Sequence, residues 1–474
     1  MPNHRPASPS RFGRSLIRGA VLAALVLPAL ALPAVPSAAQ TLQEALARAY
    51  SNNPTLLAAR AQLRAVDEGV PQALAGWRPT VVLGGSVGVA GTEIQTGNTP
   101  TRRVDRNPNA LTATITQPLF RGGRTAAQTR QAENAVLAQR ARLLATEQLV
   151  LGDAVQAYIA VIQNSELVRL NRNNEQVLAR QLQATNARFA VGEITRTDVA
   201  QAESRLAGAR TTRVQAEGNL QVARAAFERV IGIAPGRLTN PQPLRLPLAS
   251  AAEAQAQAVA NNPAVVAALF GAAGARDAID VQMAALLPQI NAQAQAFRQG
   301  NQQTPNSITR GVQATLNLTM PLYQGGAEHA AVRQARQAAQ QALRQVDEAR
   351  RSVAQQAAAN WESLQSARAA VTSVRAQIRA AEIALDGVQR EAVVGSRTTL
   401  DVLNAEQELL NARTSLVNAL STVITASYAL AGSIGRLTAA DLGLPVEQYD
   451  MTAYYDAVRN RWAGTGDLSG VAER

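Results

Sequence analysis

The chain has 474 residues, of which 47% are hydrophobic but only 3% aromatic and 17% charged, so its core must be built from Ala, Leu and Val. That suits thin helix–helix packing in one long body better than two or three globular domains. The net charge of +12 rests on 46 basic residues, all arginine and dispersed along the chain, with Arg5, Arg11, Arg14 and Arg18 at the extreme N-terminus; this argues against a nucleic-acid partner. There is no cysteine and no lysine, and His4 and His329 stand far apart, so the usual nucleophile and metal constellations lack members. With no Gly-x-Ser-x-Gly or phosphate-loop pattern either, neither an enzyme nor a cofactor is expected.

In chain order, residues 1–39 read as a secretory signal: the four arginines, an apolar stretch from Ala20 to Leu32, and Ser37-Ala38-Ala39 before Gln40. The apolar stretch is too short to span a bilayer comfortably. An uncleaved anchor is the alternative. A short helix from Thr41 stops at Asn52-Asn53-Pro54, where Asn53 as N-cap and Pro54 at the first helical position start another running towards Ala75, with a kink at Pro71. Val81 to Ala90 reads as a weak strand. Leu111-Ala113-Ile115 against Thr112-Thr114-Thr116 is a clear one, with polar Thr96 to Asn109 as a loop between them. A helix of about 65 residues, or ~100 Å, then runs from the Gly-Gly pair to about Arg188, and a return helix follows from Thr197 to Ile231.

All of this happens twice. Val191-Gly192-Glu193-Ile194-Thr195-Arg196-Thr197-Asp198-Val199 answers to Val394-Gly395-Ser396-Arg397-Thr398-Thr399-Leu400-Asp401-Val402 at an offset of 203, as do Pro118 to Pro321 and Phe120 to Tyr323. Asn53-Pro54 answers to Asn262-Pro263 at an offset of 209, so one loop of unequal length lies between Pro79 and Pro118 or between their partners. The expected organisation is a signal over 1–39, a first structural repeat over 40–240, a second over 241–440 and a tail over 441–474. In the second copy, Val312, Ala314, Leu316, Leu318 and Met320 alternate with polar residues as a strand, preceded by a weaker one from Gln289 to Arg298. The long helices and their return helices carry seven-residue apolar repeats: Ala357, Leu364, Val371, Ile378 and Leu385, then Val402, Leu409, Leu416, Val423 and Leu430. Such repeats specify helices that supercoil around each other. Gly192 and Gly395 supply the turn between them, and Thr195-x-x-Asp198 and Thr398-x-x-Asp401 read as capping boxes.

Four alternating strands of about ten residues on an exported chain suggest a membrane wall, but four strands cannot close, and an open edge in lipid costs several kcal/mol per unpaired group. Several chains must pool them.

The Gln117-Pro118-Leu119-Phe120-x-Gly-Gly and Met320-Pro321-Leu322-Tyr323-x-Gly-Gly strand ends, the Asn-Asn-Pro helix starts and the two Val-Gly-x-x-Thr-x-x-Asp-Val turns resemble the TolC family of outer-membrane efflux and type I secretion ducts, over about residues 40 to 440. The resemblance implies a mostly α fold with membrane β: four transmembrane strands per chain in a homotrimeric 12-stranded barrel embedded in outer-membrane lipid, continued by a helical tunnel in the periplasm. It also implies a passive conduit docking onto a periplasmic adaptor and an inner-membrane ABC or RND-type pump.

In that family the turns form the periplasmic tip. The adaptor-docking positions would be Val191, Gly192, Thr195, Val394, Gly395 and Thr398. The entrance constriction falls on Asp401 and Asn404, where an amide replaces the second carboxylate of the family's pair. The entrance latch maps onto Arg397, Thr197 and Asp198, with Ala392 where the family has a tyrosine. Each position has a plainer reading. Asp198 and Asp401 can be caps, Arg397 a solvated turn residue, and Pro118, Phe120, Pro321 and Tyr323 either an interfacial strand-end girdle or simple strand-end packing. The alternative function is a periplasmic coiled-coil adaptor or structural protein without a pore. The tail keeps Tyr449, Tyr454, Tyr455 and Trp462; it either wraps the helical body or is partly disordered.

Overall fold

The computed structural model describes residues 40–466, 468 and 470, so the signal expected over 1–39 lies outside the described residues. Helices α1 (Leu42–Asn52), α2 (Pro54–Asp67) and α3 (Gly69–Leu74) open the chain. Strands β1 (Thr80–Val87), β2 (Ala90–Ile94), β3 (Arg102–Arg106) and β4 (Asn109–Arg121) follow, then the long helix α4 (Arg124–Ala190) and its return helix α5 (Arg196–Ile231). The second copy runs α6 (Ala251–Asn261), α7 (Pro263–Met283), β5 (Gln289–Gly300), β6 (Ile308–Thr319), α8 (Ala327–Val393) and α9 (Thr399–Ser433), and a short α10 (Ala453–Val458) lies in the tail. Helices α4 and α8 have 67 residues each, ~100 Å, and both start from a left-handed glycine, Gly123 or Gly326, at φ 81°.

Two half-length helices stacked end to end match one long helix, and a single residue type makes each joint. Asn262 caps α7 by accepting from the Ala264 N–H at 2.9 Å, while its Nδ2 donates to the Ser433 carbonyl at the end of α9, also 2.9 Å. Asn53 does the same in the first copy, accepting from Thr55 N–H and donating to the Val230 carbonyl near the end of α5, both at 2.9 Å. The final carbonyls of one helix thereby gain a partner from the cap of the next. The second copy's helix α7 is continuous, whereas the first copy breaks at Glu68 between α2 and α3. Pro71, with no N–H and a ring that crowds the preceding turn, accounts for the break. Its counterpart Asp280 instead accepts from Arg130 of α4 at 2.8 Å.

The heptads change register mid-helix. In α8, Val332, Ala339, Val346 and Val353 are buried at seven-residue spacing, and the series resumes at Ala357 and Leu364 after a step of four. Helix α4 repeats this with Val136, Leu143 and Val150, then Ala154, Val161 and Val168. A four-residue stutter locally unwinds a supercoil. It falls near the end-to-end joint, where Asn360 of α8 donates to the Ala429 carbonyl of α9 at 3.1 Å and Ala254 and Ala258 of α6 share one buried cluster with Ala357.

The strands form one antiparallel sheet in the order β1-β4-β5-β6, and β2 and β3 form a separate two-stranded ribbon. The ribbon revises the expectation of a loop over Thr96 to Asn109. Residues 102–106 pair with 90–94, and Arg106 ties the ribbon to the opposite turn by donating to the Gln302 and Gln303 carbonyls. The tail wraps the helical body. Arg60 lies between the rings of Tyr50 and Tyr449 at 4.6 and 5.1 Å, Arg78 lies over Trp462 at 5.0 Å, and Arg140 and Arg459 both approach Tyr455. Stacking of planar guanidinium on aromatic rings is a use for arginine that lysine serves less well.

Candidate functional site

Two regions carry the chemistry of this fold: the hairpin tips and the strand wall. At the tips, Gly192 and Gly395 hold φ of 79° and 81°, which lets each long helix end in a tight turn. Thr195 and Thr398 then cap the return helices. Asp198 N–H donates to Thr195 Oγ1 at 3.3 Å and its carboxylate accepts from Thr195 N–H at 3.0 Å. Asp401 and Thr398 repeat the pattern at 3.2 and 3.0 Å, so both capping boxes expected from the sequence are formed. Hydrogen bonds from the Thr195 hydroxyl and then its backbone hold the Asp198 carboxyl below the usual carboxylate range; for Asp401 the Thr398 backbone bond leads, followed by its hydroxyl. Thr398 donates twice to Asp401 Oδ2, from its N–H and its hydroxyl, and accepts once from the Asp401 N–H; no hydrogen bond reaches Oδ1 among the described residues.

Around these caps, Val191 and Val394 are each 78% exposed, leaving an apolar residue bare beside each glycine. Arg397 folds back onto its own long helix, pairing with Glu391 at 2.8 Å. Within one chain it does not bond Thr197, which is exposed. Asn404 accepts from Arg205 of α5 at 3.0 Å, and Leu403 is buried with Leu206 and Leu178, so the two hairpins of one chain lie against each other there. Sequence reasoning missed Glu406, whose carboxyl burial pushes up while Arg180 opposes it, and whose Oε2 is buried without a partner. Its match to Glu203 at the same offset of 203 was the available signal.

In the wall, strand register sorts the faces. Val81, Leu83, Leu111, Ile115, Leu316 and Leu318 share one face and all are exposed. The opposite face carries a hydrogen-bonded polar row: Gln313 donates to Gln295 at 2.7 Å, Gln295 to Thr114 at 3.4 Å, and Asn317 to Gln293 at 3.4 Å. One aromatic breaks that row. Phe297 lies over Gly311, close enough that a Cβ there would sit 2.7 Å from its Cζ, an aromatic covering the bare backbone of a strand glycine.

The strand ends differ between copies. β4 continues past Pro118 through a bulge to pair Phe120 with Ile290, because β5 lies beside it. β6 is an edge strand and stops at Thr319, before Pro321, which leaves Tyr323 81% exposed against 44% for Phe120.

The family of outer membrane efflux proteins matches residues 45–233 and 255–436, one stretch for each copy. The outer membrane efflux protein BepC of Brucella suis is 36% identical over 449 residues, covering 94% of this chain and 96% of BepC. The outer membrane protein TolC of Vibrio cholerae is 27% identical over 417 residues, covering 85% and 92%. Among solved structures, the CmeC outer membrane channel of Campylobacter jejuni superposes with a TM-score of 0.75 at 15% identity, covering 88% of this chain and 89% of CmeC. The chain therefore belongs to the outer membrane efflux protein family: it is an outer-membrane export channel of TolC type, its strands in the membrane and its helices in the periplasm.

Proposed function

We propose that three copies pool their sheets into one closed 12-stranded barrel in outer-membrane lipid, and that the helices continue it as a tunnel whose tips dock onto a periplasmic adaptor and an inner-membrane pump of ABC or RND type. The carrying observation is a four-stranded sheet with both edges, β1 and β6, unpaired, one apolar exposed face and one polar hydrogen-bonded face. Such a wall satisfies its backbone in lipid only when sister copies close it. The exposed Val191 and Val394 beside Gly192 and Gly395, with Thr195 and Thr398 starting the return helices, form the adaptor-docking surface.

Asp401 is the entrance carboxylate, with Asn404 one turn on as its uncharged companion. Arg397, released from Glu391, reaches Thr197 and Asp198 of a neighbouring hairpin as the latch. Pro118, Phe120, Pro321 and Tyr323 form the girdle where the wall meets the periplasmic interface. The pump supplies the energy, and the duct is passive.

Reconstitution into a planar bilayer tests this. The wild type gives a steady conductance that divalent cations block from the tip side, and Asp401→Ala raises the half-blocking concentration several-fold. Absence of conductance from folded protein overturns the duct, and unchanged block returns Asp401 to its cap.

A further inference from the structure

The apolar outer face of the wall carries, one row from its outer end, two arginines that the channel itself does not use. Arg298 of β5 and Arg310 of β6 are direct cross-strand partners. Each lies two residues beyond an outward residue, Ala296 or Val312, so both guanidiniums leave from the apolar face, with Leu111 directly across from Arg298. Both are exposed, and among the described residues neither makes a hydrogen bond or an ion pair. Arg106, in the same rim, by contrast donates through its two terminal nitrogens to the Gln302 and Gln303 carbonyls and to Thr92. Like charges directly opposite each other on a sheet are destabilising, with Cβ atoms only about 5 Å apart. Among the described residues nothing offsets this pair, and an anion from outside would.

The position identifies the anion. β5 follows α7 and β6 precedes α8, so the Gly300–Ile308 end of this hairpin is the end remote from the helices. With the helices in the periplasm, that end faces outward. From Arg310 to Leu318 the outward row spans eight residue steps, about 27 Å along the strand and about 20 Å of height at ordinary barrel tilt. The arginines thus sit near the outer edge of the apolar band, one row short of Val87 and Ile308, close to the depth where lipid headgroups of the outer leaflet lie.

We propose that Arg298 and Arg310 form a clamp for the phosphate of a phosphorylated outer-leaflet glycolipid, once per chain. Two adjacent guanidiniums present parallel N–H forks that match phosphate oxygens bidentately, and the apolar row below them accepts the acyl chains. The glycolipid phosphate removes the repulsion between the two arginines and fixes the height of the barrel in the membrane. The inference rests on the four strands being a membrane wall.

Full-length protein purified in detergent is titrated with diphosphoryl lipid A, with lipid A stripped of its phosphates, and with inorganic phosphate, and retained ligand is read by native mass spectrometry. Planar-bilayer conductance is measured on the same samples. Wild type retains diphosphoryl lipid A at least about ten-fold more tightly than the Arg298→Gln/Arg310→Gln double variant, a difference the size expected for losing charge-assisted phosphate bonds. It shows no such preference for the dephosphorylated lipid, and both proteins conduct equally. Equal retention of phosphorylated lipid A by wild type and variant, or equal retention of the two lipids, overturns the clamp while conductance leaves the channel standing. Retention of inorganic phosphate as tight as that of the lipid overturns the assignment to a lipid. Loss of conductance in wild type itself is the separate failure of the membrane wall.

Discussion

Asn262 shows how one side chain can belong to two helices at once. Its Oδ1 caps α7 and its Nδ2 holds the last turn of α9. Asn262→Ser keeps a cap but loses the link and should cost about 1 kcal/mol; Asn262→Ala loses both and should cost about 1–2 kcal/mol more. Thermal unfolding in detergent should rank wild type above Ser above Ala; three equal midpoints would show the joint to be passive. The cap was legible in Asn-Asn-Pro because Pro at the first helical position is a local signal. The link was not, because its acceptor lies 171 positions away.

Asp67 was invisible for the same kind of reason. It is 1% exposed, both its oxygens lack partners, and its carboxyl is pushed up to about 6, chiefly by burial and then by Glu68, against an opposing pull from Arg140. The folded state therefore holds this proton more tightly than the unfolded chain. Its contribution is fully present below about pH 4 and is lost as pH rises through 6. Asp67→Asn should raise the unfolding midpoint at pH 7.5, by the equivalent of about 1–3 kcal/mol, and leave it unchanged near pH 4. A gain of equal size at both values would rule out the ionisation.

At the scale of elements, the duplicated hairpins were readable because heptads and glycine turns are local periodic signals. Their register step was not. Each side of Val353–Ala357 keeps a perfect repeat, so the sequence offers two valid series and no statement of where one partner helix hands over to the next. The structure places alanines there: Ala357 and Ala258, both fully buried in one cluster. Ala357→Leu should overpack the joint and cost about 1–3 kcal/mol, whereas the same change at exposed Ala370 should be silent. Circular dichroism melts of both variants check this, and equal melts would mean the joint has room to spare. The β2–β3 ribbon escaped reading because Arg102-Arg103-Val104-Asp105-Arg106 is polar on both faces and gives no alternation to detect.

For the whole molecule, the wall was legible as an incomplete object, since alternation with period two on an exported chain demands a closed sheet. How the tips meet was not legible: Arg397 turns back to Glu391 of its own hairpin, and Asn404 meets Arg205 only because the two hairpins fold side by side. Everything above the level of one chain follows from the unpaired edges of β1 and β6. The most direct measurement is the mass of the detergent-solubilised protein by native mass spectrometry after the detergent is stripped. A species of three chains is the expected result. A stable species of one chain, with β1 and β6 still folded, would contradict the account.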